Sequence, residues 1–184
     1  MYRRCTLEKS VQTQKKYENC LIALMKEKHY AEITINDICE RMRTSRKSFY
    51  HFFKNKQGCL YALIDRLFYD FMNYEIPENV ELKEYPPRLI RQMLYQKDTQ
   101  DVMELLIQNN LYGLLNERLV RLIRDNTQNN GVPPDSFEED SLVFYLCGVM
   151  GVRYNWHIGG YQRSMYDVAD SIMKLATPEM LENW

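Results

Sequence analysis

The chain has 184 residues, 45% of them hydrophobic and 27% charged, enough apolar material for a packed core and too much for a disordered chain. Its net charge of −1 is unevenly spread: residues 1–60 hold 13 Lys/Arg and 6 Asp/Glu, whereas residues 61–184 hold 11 and 19, so a polyanion would be drawn to the first third and repelled by the rest. No apolar run approaches the roughly 18 residues of a membrane helix, and Met1-Tyr2-Arg3-Arg4 leads into no signal-peptide core, so a cytoplasmic protein with no membrane partner is expected.

Apolar residues recur at steps of three and four from the start. Tyr17, Cys20, Leu21, Leu24 and Met25 mark one face of a helix over about 11–28. Thr34 followed by Asp37 reads as a capping box, and Ile35, Ile38, Cys39 and Met42 then make a short helix over 35–42. Thr44-Ser45 caps a third helix over 46–53, and Asn55 caps a longer fourth with Leu60, Leu63, Ile64, Leu67, Phe68 and Phe71. Three prolines within 76–87 predict a loop. Helical spacing returns over 88–96, 99–109 and 111–128, a second loop spans 126–136, and helices over 138–158 and 165–176 close the pattern. Nothing alternates with period two, so the expected fold is all-α with about nine helices.

Two short helices three or four residues apart, behind a longer one, describe a helix-turn-helix. On the third helix, Phe49 and Phe53 share the side that faces the core. Arg46, Lys47 and Tyr50 lie opposite, with Ser48 and His51 beside them. Cations, hydroxyls and an imidazole suit base edges and phosphates in a major groove. The helix starts at Thr34 and Asn55 add amide groups and partial positive charge.

The run Ile33-Thr34-Ile35-Asn36-Asp37-Ile38-Cys39, then Ser45 to Lys56 and Leu60, resembles the N-terminal domain of the tetracycline-repressor (TetR) family over about residues 10–65. The resemblance implies a DNA-binding domain over 1–56 and a C-terminal helical ligand-binding and dimerisation domain over 57–184. It implies that Thr34, Tyr50 and Lys56 hold the DNA backbone, that Asn36, Arg46, Lys47 and Ser48 face base edges, and that His51 stands near the backbone. Members usually have glycine where Arg43 stands, and if that turn needs a positive φ the arginine costs about 1 kcal/mol. Many also have glycine in place of Lys47, and histidine or tyrosine in place of Phe52, which leaves Phe52 outside the expected site.

In the second half, Leu142, Leu146, Val149, Val152 and Trp156, with Val168 and Ile172, form apolar stripes at helical spacing, which are either monomer core or, as the resemblance implies, a homodimer interface. Met93, Met103, Tyr112, Tyr145, Met150 and Tyr154 are the candidates for an effector pocket. The run Gly148, Gly151, Trp156, Gly159 is similar to the C-terminal domain of the branch that includes regulators of dihydroxyacetone-kinase operons. The implied function is a transcriptional regulator, a repressor, binding a palindromic operator as a homodimer and answering to an effector. The alternative is a DNA-binding adaptor or co-activator whose C-terminal domain binds a partner protein.

Catalysis is not expected. The chain has no G-x-x-x-x-G-K-[ST] loop and no G-x-S-x-G elbow. Five cysteines, at 5, 20, 39, 59 and 147, form no C-x-x-C pair, which fits reduced thiols in a cytosol. Cys39, His51 and Cys59 match no metal spacing, so neither metal nor cofactor is expected.

Overall fold

The computed structural model describes residues 2, 5–78, 85–177 and 180; of the loop expected over 76–87, residues 79–84 lie outside the described residues. In chain order the elements are α1 (Glu8–Met25), a 3-10 turn (Tyr30–Glu32), α2 (Ile35–Met42), α3 (Arg46–Phe52), α4 (Lys56–Met72), α5 (Pro87–Gln108), α6 (Tyr112–Asn129), α7 (Phe137–Ile158) and α8 (Met165–Leu175). Among the described residues there is no strand, only an isolated antiparallel bridge between Tyr2 and Phe53. The fold is all-α, with eight α-helices among the described residues.

The ninth expected helix is absent because two of the expected helices are one. The expected break between 96 and 99 falls at the polar pair Lys97-Asp98, yet α5 runs through it. No proline or glycine lies between 88 and 108 to interrupt the ladder. The Thr99 hydroxyl donates to the Tyr95 carbonyl at 2.7 Å, so it is satisfied inside the helix. The chain breaks instead at Asn110, in the left-handed region at φ 57°. There Leu111 N–H donates to the Leu106 carbonyl and Asn110 N–H to that of Ile107, the pair of bonds that closes a helix end.

Packing gathers the chain into two units. The first takes Met1–Phe68 and Val102–Arg118, the second Tyr69–Asp101 and Leu119–Trp184. α4, α5 and α6 each supply residues to both, so the units are not bounded at residue 56. The start of α4 packs with the helix-turn-helix because Cys59, Leu60, Leu63 and Ile64 are completely buried.

The core of the first unit centres on Tyr17, which is 0% exposed with Leu21, Ile38, Phe49 and Leu63. Its ring lies edge-on to Phe49 and Phe53, each at 5.7 Å, and tilted against Phe52 at 5.8 Å. Such pairs add about 0.5–1.5 kcal/mol each beyond their buried area. The Tyr17 hydroxyl donates to Thr44 Oγ1 at 3.0 Å, so the one polar atom of this buried ring is satisfied.

The second unit has its own core of Leu89, Ile90, Met93, Tyr145, Val149, Val168, Ala169 and Ile172, with Val152 and Trp156 packed against it. Leu142 is buried too. Of the two readings of the α7–α8 stripe, monomer core holds for Leu142, Val149, Val168 and Ile172, which spend their apolar surface inside the protomer, while Leu146, Val152 and Trp156 are half-buried. A stripe found by periodicity is the most hydrophobic face of a helix, and the protomer's own core takes that face first.

Candidate nucleic-acid interface

The site is assembled from three helix starts. Thr34 precedes α2 in extended conformation and its hydroxyl accepts the Asp37 amide at 3.2 Å, while its own amide donates to Asp37 Oδ2 at 2.6 Å. Both halves of the capping box are therefore present. Lys28 joins the same carboxylate at 2.7 Å. The hydrogen bond from Lys28, then those from the Thr34 backbone and side chain, hold the Asp37 carboxyl down at about 2.

α2 ends at Arg43 with φ 51° and ψ 46°. The Thr44 amide bonds the Cys39 carbonyl and the Arg43 amide that of Glu40, the closure in which glycine is the usual residue. The positive φ expected at this turn is present. It lets the chain reverse within three residues, so that Ser45 can start α3, its hydroxyl accepting the Ser48 amide at 3.2 Å.

On α3 the two faces separate completely. Phe49 is 0% exposed, whereas Arg46, Lys47, Ser48, Tyr50 and His51 are all exposed. Arg46 Nη2 donates to the Tyr50 hydroxyl one turn on at 3.2 Å, and the guanidinium carbon lies 5.8 Å from that ring's centre. The pairing fixes the direction of both side chains and raises the arginine pKa, mainly through that hydrogen bond. A shallow open depression beside them is lined by Ser45, Lys47, Ser48, Tyr50, His51 and Phe52. No acidic residue interrupts α3. Asn36, the second residue of α2, is exposed.

Two exposed cations flank this helix, Arg43 before it and Lys54 after it. Periodicity does not single them out because both stand outside the helix; their signal is position, each beside a turn that ends or follows a reading element.

Lys56 stands differently from the other expected contacts. Its ammonium donates to the carbonyls of Tyr30, Ile33 and Ala31 at 2.5, 2.7 and 3.3 Å and lies 4.2 Å from the centre of the Tyr30 ring. A lysine has three N–H donors, and these three carbonyls match them. Burial lowers its pKa. In this geometry Lys56 fastens the 3-10 turn to the start of α4.

Of the six effector-pocket candidates, Met93 and Tyr145 share the core of the second unit. Met93, Tyr145 and Met150 are buried, and Tyr154 is 38% exposed. Met103 and Tyr112 are half-buried and belong to the first unit. The Tyr145 hydroxyl donates to Gln92 Oε1 at 3.0 Å, and the Arg88 guanidinium lies 3.9 Å over its ring. Among the described residues no cluster of His, Cys, Asp and Glu could hold a metal ion, and no helix is long and apolar enough to cross a membrane.

No curated protein and no solved structure matches the chain. The matched part ends at Leu63, and no comparison supports the branch of dihydroxyacetone-kinase operon regulators. Residues 22–63, from the last turn of α1 into α4, match the family model described as bacterial regulatory proteins, tetR family, so this segment is similar to the helix-turn-helix domain of that family.

Proposed function

We propose that the chain is a cytoplasmic transcriptional repressor that reads a palindromic operator as a homodimer, with residues 1–56 reading DNA and residues 57–184 pairing the chains and answering to an effector. The observation that carries this reading is the outward face of α3, where Arg46, Lys47, Ser48, Tyr50 and His51 are all exposed opposite a fully buried Phe49. In the complex Arg46, Lys47, Ser48 and Asn36 meet base edges, while Thr34, Tyr50 and His51 meet phosphates. Lys56 adds its charge near the backbone while its hydrogen bonds hold the 3-10 turn.

What supports a homodimer is the outer face of α7. Phe144 and Ile158 are 65% and 62% exposed, and a Cβ added to Gly148 or Gly151 would meet nothing within 4 Å. Large apolar groups flanking two glycines leave room for the close approach of another helix, and most soluble oligomers are symmetric pairs of this kind. A pair is needed because two reading helices must meet major grooves about 34–36 Å apart.

The test is selection of bound duplexes from random DNA, followed by titration of the selected site. The expected product is an inverted repeat. Arg46→Ala and Lys47→Ala should each relax preference at one position of each half-site, at a cost of about 1–3 kcal/mol apiece. Failure to enrich any sequence sinks the proposal. The second reading, an adaptor whose C-terminal helices bind a partner protein, draws on the same exposed residues of α7. A stoichiometric protein partner that does not displace the second copy of the chain would favour it.

A further inference from the structure

The helix-turn-helix is gripped by a part of the chain far from it in sequence. Asn109, at the end of α5, is 5% exposed and its Oδ1 accepts the Tyr30 amide at 2.5 Å across 79 residues. Its Nδ2 donates to the Leu105 carbonyl at 2.8 Å, which fixes the side chain on α5. On the other side of the α5–α6 turn, Arg118 makes a two-pronged pair with Asp65 of α4, Nε to Oδ1 and Nη2 to Oδ2, both at 2.6 Å. Asp65 is 2% exposed and also accepts the Tyr2 hydroxyl, while Tyr2 itself pairs with Phe53, the residue that ends α3. The Arg118 guanidinium carbon lies 5.3 Å from the centre of the Tyr61 ring.

The two grips land at the places that aim the reading surface. The first holds the 3-10 turn whose carbonyls Lys56 already binds, and Thr34 at the start of α2 follows that turn by two residues. The second holds α4 and, through Tyr2, the exit of α3. Two-pronged Arg–carboxylate pairs and a buried amide bond restrict direction as well as distance. The remaining residues of α5 and α6 belong to the second unit.

We propose that Asn109 and Arg118 are positioning residues for DNA binding, which hold the turn before Thr34 and the exit of α3 in the reading arrangement without touching DNA themselves. The inference rests on the DNA-reading function proposed above. Positioning and phosphate contact leave different marks on salt dependence. A residue that only aims the surface changes affinity equally at every salt concentration, whereas a lost phosphate contact lowers the slope.

The experiment compares the wild-type chain with Asn109→Ala, titrating the duplex that wild type selects from random DNA at several salt concentrations. Binding is referred to active molecules and measured well below each melting midpoint, so that lost stability alone does not register. Arg118→Met is the companion variant, and Asn109→Ala keeps the test decisive should breaking the buried pair prevent folding. The Tyr30 amide should exchange with solvent faster in Asn109→Ala. Its affinity should fall about fivefold, the effect of one net hydrogen bond, with a line parallel to wild type. Wild-type affinity or tighter binding overturns this inference alone, and so does a slope lowered by one unit. A wild-type chain that selects no duplex overturns the functional reading and this one with it.

Discussion

Arg43 is a residue that departs from what its backbone asks for. Its φ of 51° lies in the region where a Cβ crowds the following carbonyl, at roughly 1–2 kcal/mol for an L-residue, and glycine gives back part of that advantage through its larger freedom in the unfolded chain. Arg43 is exposed, so removing its side chain leaves no cavity. Arg43→Gly should therefore stabilise the fold by about 0.5–1 kcal/mol, a rise of about 1–4 °C in the melting midpoint for a chain of this size. Calorimetry would check it, and a lower midpoint would mean that the arginine side chain holds the turn. This residue also shows the limit of what a local pattern can tell in advance. The positive φ is to be expected at Arg43 only through the family resemblance, whose members usually carry glycine in this turn; the residues beside it do not announce it.

At the scale of elements, the ends of helices were the most legible feature. Thr34, Ser45 and Asn55 each sit at a helix start, where the side chain accepts the amide of the third residue on, because a short oxygen-bearing side chain has few other uses at that place. Helix interiors were less legible. The interruption expected at Lys97-Asp98 is not there, since two polar residues cost a helix far less than one proline. Lys56 illustrates another limit: its charge is plain in the sequence, but the three carbonyls that engage it come from a turn 23–26 residues away, and no local rule reports such a contact. The cap of α2 carries a pH dependence that can be tested. Asp37 is held at about 2 against an ordinary value of 3.8, faced by Lys28 and more distantly by Lys56. A carboxyl lowered in the folded state contributes its full stabilisation above about pH 4 and loses it as the pH falls toward 2. Unfolding measured against pH should show that loss in wild type, whereas Asp37→Asn should be less stable at neutral pH and flatter between pH 4 and 2. Parallel curves would show that the capping carboxylate does not act through its charge.

At the scale of the whole molecule, the apolar stripes of the last two helices have two possible uses, and burial decides which residues are left for pairing. The strongest apolar stripe of α7 and α8 was given two possible owners, the protomer's core and a second chain, and the core holds Val149, Val168 and Ile172. What remains outside is a weaker pattern, Phe137, Phe144, Gly148, Gly151 and Ile158, each exposed and spaced by sevens or by four and three, hard to notice because two of its members have no side chain. If this face joins two chains, the double substitution Phe144→Asp, Ile158→Asp should separate them. Both side chains are already largely exposed, so each change should move protomer folding by no more than about 0.5 kcal/mol. Buried charge at a closed pairing face, in contrast, is strongly unfavourable. Sedimentation equilibrium should give twice the chain mass for wild type and the single-chain mass for the variant, with helical content retained. Operator affinity should collapse toward that of one half-site, since each chain brings one reading helix. Val149→Asp is the contrasting case: at 4% exposure it should unfold the second unit's core whatever the state of assembly. A variant that keeps wild-type mass and operator affinity would place the pairing surface elsewhere on the chain, and the Gly148–Gly151 face would then need another occupant.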